Sequence, residues 1–156
     1  MALNYKPVGG VKRVLLYPAD SVETALFSSK GCQIQFSEAP LEVELLEDKS
    51  SYEERTEVSN GVTKVVHLLQ IVADRDMAKP WFEFDFLERV SIDGTIAVIM
   101  LADGRSLLAG YSSLFGDEQP LRLESLSSTS GSTLHDRPSV ALRLVSCDTE
   151  FSYRVI

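Results

Sequence analysis

The sequence predicts a mainly β fold: an antiparallel β-sandwich or barrel-like domain with at most one or two short helices. Three observations predict it. Asn60-Gly61, Asp93-Gly94 and Asp103-Gly104 each sit between runs of β-branched and apolar residues, and each pair tolerates the positive φ of a tight type I′ turn, so each reads as a hinge between antiparallel strands. Residues 41–46 alternate, with Leu41, Val43 and Leu45 on one face and Glu42, Glu44 and Leu46 on the other, the period of a half-buried strand. The run Thr95 to Leu101 carries no charge at all, as befits a strand covered on both faces.

The elements follow in order. Residues 11–17 (VKRVLLY) form a first strand, stopped by Pro18, which has no N–H to give to a ladder. Asp20-Ser-Val-Glu23 has capping-box spacing, so Ala25, Leu26 and Phe27 are expected in one or two helical turns. Short strands follow at 31–36 and 41–46. Residues 52–58 and 62–72 flank Asn60-Gly61 as a two-residue hairpin. Its second arm is apolar on both faces and belongs near the centre of a sheet. Residues 74–79 are a charged connection. Pro80 suits a helix start, but Phe82, Phe84 and Phe86 alternate with Glu83 and Asp85, and that period of two predicts a strand. From 88 to 111 the text reads strand, Asp93-Gly94, strand, Asp103-Gly104, strand, a three-stranded meander. Leu121-Arg-Leu-Glu-Ser125 and Leu142-Arg-Leu-Val-Ser146 repeat the pattern LRLxS as two strands. The small polar stretch 125–139 between them reads as a mobile loop. Residues 151–156 close the chain as a short strand.

Length favours one domain over 1–156, since 156 residues bury a sizeable core. With 44% hydrophobic and 24% charged residues the composition is that of a folded protein. The 15 basic and 23 acidic residues give a formal charge of -8, a field that repels phosphate backbones and anionic lipid, so neither sequence-specific nucleic-acid binding nor a membrane is expected. The N-terminus lacks the apolar core of a signal peptide, and no run reaches the roughly 18 apolar residues of a membrane span. Synthesis and retention in a cytoplasm is the expectation. Cys32 and Cys147, the two cysteines, have no CxxC spacing and read as buried thiols rather than a disulfide framework or zinc site.

No group of residues announces a reaction. His135-Asp136, preceded by Ser132 and Thr133, suggests a nucleophile and base, but a triad is assembled from separate elements, not from chain neighbours. His67 lies between Val66 and Leu68 without a second histidine at ligand spacing, and reads as a satisfied core or interface histidine. Glu42, Glu44, Glu47, Asp48, Glu53, Glu54 and Glu57 are the densest charge and read as a solvated face that also blocks unwanted strand pairing. Asp74 and Asp76 lack the further oxygen ligands and glycine of a calcium loop. Trp81, Phe82, Phe84 and Phe86 read as core or subunit interface, with a sugar-stacking row as the alternative. Gly9-Gly10 is no phosphate cradle, since neither GxxxxGK[ST] nor GxGxxG surrounds it. No catalytic, metal or cofactor residues are assigned.

Gly9-Gly10-Val11, the segment from Ala102 to Tyr111 (ADGRSLLAGY), Pro120-Leu-Arg-Leu-Glu-Ser125, Ser130-Gly-Ser132 and Asp136-Arg-Pro138 together give the chain an order of features that resembles small tail or tail-tube virion proteins of phages and prophages of gut Bacteroidetes. The resemblance implies a β-sandwich or barrel-like protomer that assembles as a ring, as a tail tube, collar or tail-completion subunit, with itself and other virion proteins as partners and the virion as its destination. It implies an acidic lumen that lets DNA slide. The rival reading is a monomeric binding module for carbohydrate, with Trp81 or Tyr111 as platform.

Overall fold

The computed structural model describes residues 10–47, 49–130, 138–148 and 150–156. Among the described residues there are ten strands, four of which form a sheet in the order β1 (Val11–Pro18), β6 (Thr95–Leu101), β7 (Ser106–Ala109), β10 (Tyr153–Arg154). A second four-stranded sheet has the order β4 (Ser51–Ser59), β5 (Val62–Asp74), β9 (Ser139–Asp148), β8 (Arg122–Thr129), and β2 (Val22–Ser28) pairs with β3 (Gly31–Phe36) as a separate hairpin. Every strand pair within these sheets is antiparallel. The fold is mainly β and sandwich-like.

The alternation of side chains along β6 explains the layering. Ala97 and Ile99 point with Val14 and Leu16 into one core, where they meet Leu69, Ile71, Leu142 and Leu144 of the second sheet. Ile96 and Val98 point the other way, into a smaller core roofed by Ala25, Phe27 and Ile34 of the β2–β3 hairpin. A strand sandwiched between two cores has no polar face, which is why Thr95 to Leu101 carries no charge. Each fully buried Leu or Ile contributes about 1.5–3 kcal/mol by leaving water. β5 runs between β4 and β9, as its apolar sequence requires.

The three glycine pairs serve three different ends. At Asn60-Gly61 both residues have positive φ, 52° and 78°, so this is the type I′ hairpin, with Ser59 opposite Val62. At Asp103-Gly104 only the glycine does, at 92°. Gly104 N–H returns to Leu101 O at 3.0 Å and Leu101 N–H meets Arg105 O at 2.8 Å, a turn followed by a bulge. Asp93-Gly94 joins no two strands. It terminates the helix α1 (Phe84–Ile92), with Asp93 and Gly94 N–H both turned back to Arg89 O and Gly94 at φ 84°.

That helix corrects the strand expected over Phe82 to Phe86. Pro80 sits in a 3-10 turn (Lys79–Phe82), Asp85 lies in the first helical turn and Arg89 in the last, each favourable to the helix dipole. Trp81 and Val90 go to the core while Phe84 stays 75% exposed, so the aromatic alternation never marked a buried face. The helix expected after Asp20 is corrected in the opposite sense. Ala19–Ser21 is a 3-10 turn, held by Ser21 Oγ–H donating to Pro18 O at 2.6 Å, and Val22–Ser28 is strand β2. Ala25 and Phe27, two residues apart, cover the second core only in an extended chain.

Residues 41–46 keep their predicted alternation of burial but form no strand. Leu41 exchanges both backbone hydrogen bonds with Leu16, and Leu46 N–H then reaches Val72 O at 2.9 Å. The segment thus crosses from one sheet to the other, with Val43 buried between. The two LRLxS segments pair with each other in β8 and β9, Leu123 opposite Leu144. Strand β8 runs on to Thr129, so the predicted 125–139 loop loses its first residues to the sheet. Most of the remainder lies outside the described residues. The closing strand shrinks to Tyr153–Arg154. No helix among the described residues is long and apolar enough to cross a membrane.

Candidate functional site

A cleft of about 300 Å³ opens where α1 leaves the sandwich. One wall is the end of β1 with the chain that crosses it, Leu16, Tyr17 and Leu41, and the other is the helix face bearing Phe86 and Val90. Each wall is fixed by its own anchor. Leu41 is bonded to Leu16, and the helix is pinned by Trp81 and Val90, 1% and 2% exposed. The rim is charged and exposed: Glu38 on one side, Glu83, Asp85 and Arg89 on the other. A cleft of mixed polarity with three carboxylates and one guanidinium at its mouth suits a group that is predominantly cationic.

A second polar constellation surrounds His67, which is 3% exposed. Its Nδ1 lies 2.7 Å from Tyr52 Oη and its Nε2 2.9 Å from Glu150 O. A carbonyl has no proton, so Nε2 is the donor there. Tyr52 Oη also lies 2.9 Å from Glu54 Oε1, which accepts in turn from Ser152 N–H at 3.2 Å and from Ser152 Oγ–H. The Glu150 carboxylate takes both N–H and O–H of Ser113, at 3.2 and 2.9 Å, and Tyr153 O–H reaches the Ser113 oxygen at 2.9 Å. These bonds fasten residues 150–153 to β4, β5 and the 112–116 turn. Both nitrogens of His67 are occupied, and Ser113 is bound by a carboxylate instead of an imidazole, so the arrangement is a clamp and has the connectivity of no hydrolytic triad.

Burial and the neighbouring Glu54 charge push the Tyr52 phenol far above its ordinary value, since its ion would lose hydration beside a carboxylate. A raised phenol leaves stability complete below the unfolded value of about 10 and removes it as pH climbs beyond. Unfolding free energy is therefore expected to fall with rising pH above that value, and Tyr52→Phe to flatten the fall. Burial also raises Tyr111 and Tyr153, so the slope should be reduced without vanishing. Denaturant titrations at several alkaline pH values, with phenolate absorbance followed alongside, test this; an unchanged slope in the variant would remove Tyr52 from the account.

The residues singled out in the sequence fall into place as follows. His67 is a satisfied core histidine. The His135-Asp136 and Ser132-Thr133 group lies outside the described residues, as do Gly9 and Asp48. Glu42 is held by Arg13 through two bonds of 2.6 and 2.8 Å, which draw its carboxyl below the usual range. Glu44, Glu47, Glu53 and Glu57 are exposed, while Glu54 turns into the clamp. Asp74 folds back on its own turn, accepting from Asp76 N–H at 3.0 Å. Among the described residues no group of three or more His, Cys, Asp or Glu is placed to hold a metal. Cys32 is buried, and burial raises its thiol; Cys147, expected to be buried, is exposed on the outer face of the second sheet. Trp81 is enclosed by core and offers no platform; Tyr111 is half-buried and stacks on Phe27, ring centres 6.0 Å apart.

Sequence reasoning missed the cleft and the clamp. Glu38, Glu83, Asp85 and Arg89 are spread over two elements, and one of those elements was read as a strand. Comparison with protein-family models, with curated proteins and with solved structures returned no match.

Proposed function

We propose that this chain is a non-enzymatic structural subunit of a phage-like particle, a tail-tube, collar or tail-completion protein, that acts by self-assembly. The observation that carries the reading is the tip of the β4–β5 hairpin. Pairing of β5 with β9 begins at Val65, so residues 57–64 project past the sheet as a two-stranded finger. It ends in Val58 and Val62, 69% and 65% exposed. An isolated two-stranded ribbon is marginal in water, and apolar residues at its tip gain nothing until another surface covers them. Phe82 and Phe84 on the helical corner, 42% and 75% exposed, add further apolar surface. The net charge of -8 is in keeping with a conduit that does not hold DNA. For the monomeric carbohydrate module, Trp81 in the core leaves the half-buried Tyr111 as the remaining platform.

Negative-stain microscopy across a concentration series, with light-scattering mass on the same samples, is the test. Rings, tubes or a discrete oligomer that grows with concentration are expected. A strict monomer at every concentration overturns self-assembly of the chain alone.

A further inference from the structure

Three contacts in the His67 clamp each need a hydrogen, and the groups in their ordinary forms supply two. His67 Nε2 faces Glu150 O at 2.9 Å, His67 Nδ1 faces Tyr52 Oη at 2.7 Å, and Tyr52 Oη faces Glu54 Oε1 at 2.9 Å. A neutral imidazole carries one N–H, a phenol one O–H and a carboxylate none. With Nε2–H given to the carbonyl, the Tyr52 hydrogen serves either Nδ1 or Glu54. The contact it leaves sets two lone pairs against each other at hydrogen-bond distance, beside a histidine that is 3% exposed. We infer that a third hydrogen resides on His67 Nδ1, so that a buried imidazolium is paired through the Tyr52 hydroxyl with the Glu54 carboxylate, and that this proton latches residues 150–153 onto the second sheet.

The other place for the hydrogen is Glu54 Oε1. That oxygen already accepts from Ser152 N–H at 3.2 Å and from Ser152 Oγ–H, and an oxygen that gathers several donors is that of a carboxylate, not of a carboxyl O–H. Burial and the Glu54 charge disfavour the Tyr52 ion, so the phenol keeps its own hydrogen. The hydrogens then run one way, Nδ1–H to Tyr52 Oη and Oη–H to Glu54 Oε1. The charges nearby have the matching sign. Strand register sets Glu54 opposite His67 on β4 and Ser146 opposite it on β9. Counting by twos along that face adds Tyr52 and the buried Asp148, whose Oδ1 takes Glu150 N–H at 3.4 Å. Residues 150–153 bring Glu150 and Tyr153. The 112–119 turn, tied to Ser146 Oγ–H through Gln119 O at 2.7 Å, carries Ser113, Asp117 and Glu118. Arg55, Lys64, Arg122 and Arg143, the basic residues of the sheet's strands, have the opposite parity and point to its other face. A cation at His67 thus shares its side of the sheet with carboxylates, as a buried charge requires.

The latch acts on the chain that follows. The His67–Glu150 and Glu54–Ser152 bonds hold the segment leading into the edge strand β10 and into two backbone bonds, Val155 N–H to Ser106 O at 2.8 Å and Ile156 N–H to Cys32 O at 3.0 Å. Loss of the Nδ1 hydrogen breaks one link and leaves the Glu54 carboxylate without its counter-ion. Rising pH removes that hydrogen, so the segment is released in the alkaline direction.

Nitrogen-15 spectra of the imidazole rings in the labelled full chain near neutral pH test the inference. Both ring nitrogens of His67 are expected to carry a proton. The chain has two histidines, and His135→Gln identifies the His67 signals. An unprotonated Nδ1 in the wild type overturns the inference, whatever the variants do. Glu54→Gln is the second arm, because a carboxamide keeps the shape and brings an N–H of its own. That N–H donates to Tyr52, whose hydrogen then goes to Nδ1, so the His67 ring is expected to be neutral at the same pH. An imidazolium that persists in Glu54→Gln overturns Glu54 as its partner. Hydrogen exchange reads the latch: in Tyr52→Phe the Val155 and Ile156 amides are expected to exchange on the order of tenfold faster relative to those of Leu69 and Leu144. An unchanged ratio overturns the latch and leaves the protonation of His67 standing. Circular dichroism confirms the fold of each variant.

Discussion

Trp81→Ala is expected to lower unfolding free energy by about 3–5 kcal/mol, the cost of emptying a large aromatic site in a packed core. Trp81 is 1% exposed and belongs to the main core with Val90, Leu121 and Ala73. It is the anchor that holds the 3-10 turn and α1 against the sandwich, so its loss leaves a cavity and frees the helix at once. Native stabilities of roughly 5–15 kcal/mol make that a large fraction of the total, and for a chain of this size each kcal/mol lowers Tm by about 2–4 °C. Phe84→Ala, three residues on, is the internal control. Phe84 is 75% exposed, so its truncation should stay within about 0.5 kcal/mol. Chemical denaturation of both variants measures the contrast. Trp81 is the single tryptophan, so its fluorescence reports the same site: emission from a buried indole resists iodide quenching until unfolding. Equal costs for the two variants, or ready quenching in the native state, would mean that the helix is not docked as described.

The contrast within the aromatic row also shows where sequence legibility ends. The Asn60-Gly61 and Asp103-Gly104 turns, the central position of β5, the doubly covered β6 and the two LRLxS strands were legible because each depends on a local rule, a tight turn, an unbroken apolar run or a repeated strand pattern. The row from Trp81 to Phe86 obeyed a local rule too, period two, and the rule misled. What decided the matter was Pro80 at one end and Gly94 at the other, a start and a stop whose sense depends on what lies between them. An Asp-Gly pair supplies positive φ at its glycine, and a helix end uses that as readily as a hairpin does. In the same way, capping-box spacing at Asp20 gave way to the need of a second core for Ala25 and Phe27, a tertiary demand that no local window contains.

The polar sites were less legible, though not equally so. Counting outward from the Asn60-Gly61 turn places Glu54 directly opposite His67, so a carboxylate beside the buried histidine was available from the hairpin already recognised. Tyr52 follows two residues on, on the same face. Glu150 and Ser152 were beyond reach, since they arrive from the far end of the chain. The cleft was equally closed, because its charged rim is assembled from the 38–41 crossing and a helix that the aromatic period concealed.

Gly110→Ala is expected to cost on the order of 3 kcal/mol or more, and Gly104→Ala about 1–2 kcal/mol, although the two glycines have nearly the same φ, 89° and 92°. The shared cost is the left-handed conformation. The difference is space. A Cβ on Gly104 meets nothing within 4 Å, whereas one on Gly110 stands 2.8 Å from Thr95 O and 3.0 Å from Leu121 N. Those are the two atoms' own backbone segments in the Thr95–Leu121 bridge, bonded N–H to O in both directions at 2.8 and 2.9 Å. That bridge ties the start of β6 to the segment entering β8, and so one sheet to the other. A flexible side chain would move aside for a methyl group; a doubly bonded pair of backbones has to break or shift. Paired equilibrium unfolding of the two alanine variants therefore separates conformational strain from steric exclusion at matched φ. If Gly110→Ala costs no more than Gly104→Ala, the edge where β7 passes over the bridge yields without loss, and the closure between the sheets is softer than its hydrogen bonds imply.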